Sequence, residues 1–396
     1  MNSSFVHRTW AEIDLDRLRR NIAVFTEKLS GGCQLMAIIK ADAYGHGDEY
    51  VLRELTDSGV SWLGVSNIEE AVHLRRYGAN QDILILGYTP PAMAASLAEH
   101  RITQAVFSRE YAEALSDECV RTGVTVDIHF KIDTGMTRIG FVASDAGIRD
   151  ELKDCIALPG LHPTGVFTHF AAADEEKGVS YTRLQFDRFM AVCSMLEEMG
   201  CRPLIRHCCN SAGILSYPGM HLDLARLGIS LYGLYPSDEM RSRTQLYPVM
   251  QLKTVISLVK RVPKGCPISY GCTFTPDRDI TVATVPIGYA DGYSRLLSNR
   301  GEMLLHGRRV RIAGRVCMDQ LMLDVTGIDA KAGDIVTVFG EDDGAFLPVD
   351  ELAGICGTIN YELVCAVSKR VPRVYKKDGR IVGVSNYFDL VTPAQD

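Results

Sequence analysis

Gln34-Leu-Met-Ala-Ile-Ile-Lys40-Ala-Asp-Ala-Tyr44-Gly45-His46-Gly47 is the stretch on which the reading of this chain turns. The apolar run from Leu35 to Ile39 has the length and β-branched content of a buried strand, and it ends on a lysine. Small residues follow, two glycines bracket His46, and Asp48 stands where a helix N-cap is expected. Low-dielectric surroundings at a strand end disfavour an ammonium, and the free amine is the form that adds to an aldehyde. Taken alone, Lys40 can equally be a lysine that solvates a strand end. The loop beside it suits a phosphate approached by backbone and by the Tyr44 phenol.

Upstream, residues 9–13 read as a strand, and Asp14 caps a helix with Leu15, Leu18, Ile22, Phe25 and Leu29 on one face. Downstream, strand-like runs at 62–65, 83–86, 103–107, 124–132, 160–167, 203–208 and 222–224 alternate with helical patterns at 67–77, 109–121 and 181–199. About eight such units with short connections predict parallel strands closed into a (β/α)8 barrel. An open doubly wound sheet is disfavoured, because the fingerprint GxGxxG is missing after the first strand. Past residue 240 the texture changes to short β-branched runs at 248–262, 280–287, 309–316, 321–325 and 335–339. Turn clusters at 263–265 and 340–344 separate them, and 349–356 reads as a helix. The expected class is α/β: a strand at 1–13 joining the β domain, a barrel over 14–240, and a mainly β domain over 241–396. No low-complexity linker divides them.

A length of 396 residues favours two domains. The formal net charge of -7 argues against nucleic acid or an anionic membrane as the main partner. No apolar run is long enough to span a bilayer, and the first residues lack a secretory pattern. The twelve cysteines are scattered, contain no CxxC pair and include the adjacent Cys208 and Cys209, a poor geometry for a staple or metal clip. A reducing cytoplasm and no metal site are expected.

If the first domain is a barrel, chemistry belongs at the strand ends. Polar residues there are Lys40, Lys131, Arg138, His169, Asn210, Ser211 and Arg226, with Gly228 and Ile229 following. Converging cations and donors suit an anionic cofactor. Singly, each has a plainer use: Asp133 and Thr134 can form a turn, His169 can be a core histidine, and Asn210-Ser211 can cap a helix.

The whole set resembles the alanine racemases, fold-type III enzymes that use pyridoxal 5'-phosphate. The resemblance runs from Trp10-Ala-Glu-Ile-Asp14 to Ser368-Lys-Arg370-Val-Pro-Arg373. It rests on Ile39–Gly47, Lys131–Gly140, Arg226-Leu-Gly228, Ser269-Tyr270-Gly271, Ile287-Gly-Tyr289-Ala-Asp-Gly292, Arg315-Val-Cys317-Met318-Asp319-Gln320 and Ile359-Asn-Tyr361-Glu. It implies a homodimer with shared active sites that interconverts L- and D-alanine and supplies D-alanine for cell-wall peptidoglycan.

The same resemblance implies the roles. Lys40 joins the cofactor aldehyde as a Schiff base and serves as one proton-transfer base, and Tyr270 of the partner subunit is the second. Inversion needs two, because a single base can return the proton to the face it came from. A phenol works near neutral pH only if its anion is stabilised, and His169 and Arg226 stand behind it. Arg226 faces the ring nitrogen and cannot accept a proton there, which weakens the electron sink and suppresses side reactions; related barrel-type decarboxylases place an acid at that position. Tyr44, Ser211, Gly228, Ile229 and Tyr361 hold the phosphate, with Asn210 beside them, and Arg138 holds the phenolic oxygen. Lys131 is the position that relatives carbamylate to orient that arginine. Met318, Arg138 and Tyr270 bind substrate, while Tyr289, Arg295 and Asp319 line its entry.

Serine-preferring relatives tend to carry a smaller residue than Tyr361, so alanine is favoured over serine or broad specificity. A non-catalytic cofactor carrier on the same barrel would lack the β domain with Tyr270. Asp42, where asparagine is frequent, and Cys208-Cys209, where small residues are usual, depart from the family pattern.

Overall fold

The computed structural model describes residues 8–386; residues 1–7 and 387–396, the outer ends of the expected first and last segments, lie outside the described residues. Within that span the chain divides into two compact units, residues 18–43 with 48–247, and residues 8–17 with 44–47 and 248–386. Strand β1 (Thr9–Asp14) opens the chain and pairs within the second unit.

The first unit is the barrel. Its strands are β2 (Gln34–Ile38), β3 (Trp62–Val65), β4 (Asp82–Ile85), β5 (Ile102–Val106) and β6 (Val126–Asp133), with the two-residue β7 (Phe141–Val142) beside β6. β8 (Leu161–Phe167), β9 (Ile205–His207) and β10 (Leu224–Leu227) complete it. All neighbours are parallel, in the order β10-β2-β3-β4-β5-β6-β8-β9. The ring is drawn together between β9 and β10 by single backbone bonds: Asp223 N–H donates to the Arg206 carbonyl at 3.1 Å, and Arg226 N–H to that of Cys209 at 3.0 Å. A continuously buried strand such as β3 reads as an apolar run because helices cover one side and barrel-filling side chains the other, and β5 is buried throughout although it carries Thr103 and Gln104. The last strand starts two residues later than its sequence pattern indicates, since Leu222 turns at φ 54 before Leu224 enters the sheet.

The second unit is mainly β. Strands β11 (Met250–Val255), β12 (Leu258–Val262), β13 (Ile280–Val285), β14 (Glu302–Leu305), β15 (Arg308–Ile312) and β16 (Leu321–Asp324) are followed by β17 (Ile335–Asp342), β18 (Ala345–Leu347), β19 (Arg373–Lys377) and β20 (Arg380–Ser385). They form one sheet in the order β12-β13-β16-β15-β14-β17-β11-β1-β19-β20, with β18 on β17. β1 lies antiparallel to β11 and parallel to β19. The apolar stretch 248–262 is two strands, broken at Ile256 and Ser257. Helices Val349–Cys356 and Asn360–Ala366 complete the unit. Segment 44–47 passes close to them, and Gly45 is obligatory: at φ 79, a Cβ would collide with the Val364 carbonyl oxygen.

Candidate active site

Lys40 stands beyond the end of β2, after Ile39, whose N–H still donates to the Gly64 carbonyl at 3.0 Å. It does not continue the strand. It opens a turn in which Ala41, Asp42, Ala43 and Tyr44 all have φ near +53, a left-handed run of non-glycine residues. Such a conformation costs about 1–2 kcal/mol per residue, so neighbouring groups must hold it. Carboxylates do so. Glu70 accepts the Ala41 N–H at 2.7 Å, and Asp42 accepts the Asp48 N–H at 3.0 Å. Asp48 is therefore the first residue of its helix, not its cap. Its carboxylate faces His73 Nε2 at 3.2 Å; burial, with Asp42 adding, pushes its pKa up to about 6.

The carboxyl ends of β6, β8 and β9 lie in register, so Lys131, Phe167 and His207 are lateral neighbours. Phe167 stacks on His207 with ring centres 4.8 Å apart. Lys131 Nζ and the Arg226 guanidinium lie 5.6 and 5.7 Å from the Phe167 ring centre, where its π face attracts cations. Arg226 is buried, and all its partners are neutral: the carbonyls of Thr168, His207 and Cys208, His207 Nδ1 at 2.9 Å and His169 Nδ1 at 3.3 Å. Burial lowers its pKa to about 10, which leaves a full cation at neutral pH. Burial, with Arg226 and Arg138 nearby, draws Lys131 down to about 7. His169 is held well below its ordinary value by burial and then by Arg226, Arg138, Lys131 and Lys40, so it is neutral. Four predicted residues, Arg226, Arg138, Lys131 and Lys40, are thus within electrostatic reach of a fifth, His169. Arg138 is exposed and has no carboxylate partner among the described residues.

Because an arginine only donates, His207 Nδ1 must accept and its Nε2 carries the proton, donated to His129 Nδ1 at 3.0 Å. The guanidinium thereby sets the tautomer of both imidazoles. The polar ends are fixed by the helix Val179–Glu198 through residues at helical spacing. Tyr181 donates to the Gly135 carbonyl, Gln185 to Thr134 Oγ1 and the His169 carbonyl, and Arg188 to the Thr134 carbonyl. These bonds anchor the loops that carry Arg138 and His169. Asn210 caps the helix Ser211–Ser216 through Gly213 N–H, and Ser211 Oγ accepts the Gly228 N–H at 2.9 Å, which brings those positions and Ile229 together.

In the second unit Tyr270 is 71% exposed on a turn where Ser269 has φ 68, Gly271 φ 72 and Cys272 φ 50. Ser269 Oγ ties that turn to the Arg315 carbonyl at 2.8 Å, and a bond of 3.2 Å from Cys272 N–H to the Ser269 carbonyl closes it. The Met318 loop is zipped to the Tyr289 loop: Tyr289 and Ala290 N–H donate to the carbonyls of Cys317 and Met318, both at 3.0 Å. Buried Asp291 pairs with Arg8 and Arg370, and Arg370 reaches on to Asp319 at 2.7 Å. Tyr44 and Tyr361 are brought together, ring centres 6.2 Å apart. Arg295 is exposed.

Sequence reasoning missed Glu70, His129, His207, Gln185 and Asp291. The two histidines left a signal, a polar residue inside an apolar strand run; the others look like ordinary helix or turn residues. Among the described residues no helix is long and apolar enough to cross a membrane, and no cluster of three or more His, Cys, Asp or Glu could hold a metal.

The donor set fits pyridoxal phosphate: a buried cation without a carboxylate, further cations beside it, and a lysine amine in reach of the same histidine. The model of the alanine racemase N-terminal domain matches residues 13–236, and that of the C-terminal domain matches 249–375. Alanine racemase of Desulfovibrio desulfuricans is 48% identical over 376 residues, covering 94% of this chain and 99% of its own. That of Clostridium tetani is 44% identical over 381 residues, covering 96% and 98%. The structure of alanine racemase from Clostridium difficile 630 superimposes with a TM-score of 0.92 at 39% identity, over 97% of this chain and 100% of that one. The Bacillus anthracis alanine racemase with bound L-Ala-P gives 0.92 at 36% identity, over 97% and 99%.

Proposed function

The chain belongs to the alanine racemase family, and from that premise we propose that it interconverts L- and D-alanine by a two-base mechanism. Pyridoxal phosphate, when bound, supplies an electron-withdrawing ring that makes the α-proton of the amino acid removable. The chain's own residues do the rest. Lys40 Nζ anchors the cofactor and moves the proton on one face, and Oη of Tyr270 of the partner subunit moves it on the other, so a homodimer with shared sites is part of the proposal. His169, neutral and held against Arg226, keeps the arrangement behind the phenol free of a titrating charge. Arg226 presents only N–H groups and so cannot take a proton from the ring side.

The phosphate is assigned to Ser211, Gly228 and Ile229, with Asn210 ordering that loop, and to Tyr44 and Tyr361. Arg138 is assigned to the cofactor's phenolic oxygen and the substrate carboxylate, the latter shared with the Met318 backbone and Tyr270. Tyr289, Arg295 and Asp319 are assigned to the entry route. Lys131, drawn toward neutrality, suits carbamylation, in which the free amine adds carbon dioxide and releases a proton. That would convert a surplus cation into a counter-charge for Arg138. Supply of D-alanine for peptidoglycan in the cytoplasm completes the proposal.

The observation that carries this reading is the buried, carboxylate-free Arg226 among Lys131, Arg138 and His169. The test is incubation of L-alanine and of L-serine with the enzyme and pyridoxal phosphate in deuterium oxide, followed by chiral analysis. D-Alanine carrying deuterium at Cα is expected, with serine slower. Unlabelled L-alanine alone would favour a cofactor carrier, and faster serine turnover a serine racemase.

A further inference from the structure

Glu70 lies in the first turn of the helix Ile68–Arg76, behind the N-cap Asn67, whose Oδ1 accepts the Glu70 N–H at 2.9 Å. A glutamate here ordinarily serves its own helix, and one oxygen does: Oε2 accepts the Ser66 N–H at 2.8 Å. The other oxygen does something that capping does not require. Oε1 reaches 29 residues back and accepts the Ala41 N–H at 2.7 Å. Ala41 directly follows Lys40 and is the first of the left-handed residues of that turn.

We propose that Glu70 is a positioning residue for Lys40: one carboxylate binds the loop after β2 to the loop after β3 and so holds the turn that aims the amine. The proposal rests on Lys40 being the cofactor-bearing amine. Three features support it. Ala41 and Ala43 have no intrinsic preference for positive φ, so an outside tether at the start of the turn helps to hold it. The bond is charge-assisted and short. Both ends lie in the same unit, so the clamp belongs to the barrel itself. Asp42, bonded to the Asp48 N–H, and the Ile39 carbonyl, which accepts the Ala43 N–H at 3.1 Å, hold the rest of the same turn, while Glu70 holds the amide directly after the lysine.

The experiment titrates pyridoxal phosphate into cofactor-free wild-type protein, Glu70→Ala, Glu70→Gln, Lys40→Ala and a control, Ser116→Ala. Readouts are the visible absorbance of the bound cofactor, its pH midpoint, kcat, KM and Tm. Ser116 Oγ donates to the Pro159 carbonyl at 2.6 Å, so the control loses a hydrogen bond from another helix of the same unit. Glu70→Ala is expected to bind the cofactor about tenfold more weakly and to shift the pH midpoint, as loss of a charge-assisted bond should. Glu70→Gln, which keeps one oxygen for Ala41, recovers most of both. The control loses Tm without changing either. Wild-type affinity and midpoint in Glu70→Ala overturn the proposal, as does an equal shift in the control. A wild-type protein that forms no visible band, or a Lys40→Ala variant that keeps one, instead removes the premise and the proposal with it.

Discussion

The turns that carry Lys40 and Tyr270 meet the same backbone problem in opposite surroundings. Both place non-glycine residues at positive φ: Ala41 to Tyr44 in one, Ser269 and Cys272 in the other. The Lys40 turn sinks into the protein from Ala43 onward and is held by a side chain of another element, Glu70, by its own Asp42 on the Asp48 N–H, and by the Ala43 N–H on the Ile39 carbonyl. The Tyr270 turn projects outward and is held by its own backbone and by Ser269 Oγ on the Arg315 carbonyl. On the proposed function, the reactive amine that would have to stay in one place is braced from several directions. The group that would meet a second molecule, on the same proposed function, is stiffened locally and left accessible.

Five measurements break or sharpen that contrast. Lys40→Ala has the largest expected effect, a loss of about 10⁴-fold or more in racemisation together with the visible absorbance, read by chiral chromatography and spectrophotometry. Tyr270→Phe should cost about 10²–10⁴-fold in rate but keep the absorbance. Loss of the band in that variant would erase the division of labour. Mixing the two variants should restore part of the activity through hybrid dimers; no rescue despite proven subunit exchange would count against a shared site. Ser269→Ala removes one hydrogen bond of about 1 kcal/mol, so kcat should fall roughly fivefold with the cofactor spectrum unchanged. A larger fall in cofactor affinity than in kcat would contradict a purely local role.

The smallest effect concerns the charge at the carboxyl end of β6, beside Arg226. Lys131 titrates near 7 when folded, against an ordinary 10.5, because burial disfavours its ammonium. Between those values the unfolded chain holds a proton that the folded one has released, so stability rises with pH across the window. At and below pH 7 the burden is fully present. Lys131→Met in buffer free of carbon dioxide should therefore raise Tm by a few °C, of the order expected for about 1 kcal/mol, near neutral pH. The advantage should vanish toward about pH 10, where the wild-type burden is gone. A constant difference at every pH would mean that packing, not charge, separates the two proteins.

The barrel was legible because buried parallel strands are apolar runs and their helices carry 3.6-residue patterns; the runs at 62–65 and 160–167 match strands to within a residue. Strand ends also marked Lys131, His169 and Arg226. The left-handed turn was not legible, since the alanines of Ala-Asp-Ala disfavour it, and a single Asp with Gly45 and Gly47 only hints at positive φ. Glu70 reads as a capping residue, because a sequence does not show which amide its second oxygen reaches. Tyr270 sits in a stretch without periodicity and was visible only through its resemblance to a family. The run 248–262 shows the complementary limit: a two-residue break between strands leaves almost no trace in composition.

Arg226 has one more consequence. An arginine tied to a carboxylate is released when acid protonates its partner; this one is tied to three peptide carbonyls and two imidazoles already driven to neutrality. None of those acceptors changes its charge across the physiological range. The guanidinium is thus a compass needle that acidification does not deflect, and whatever acid sensitivity catalysis displays must enter through other groups.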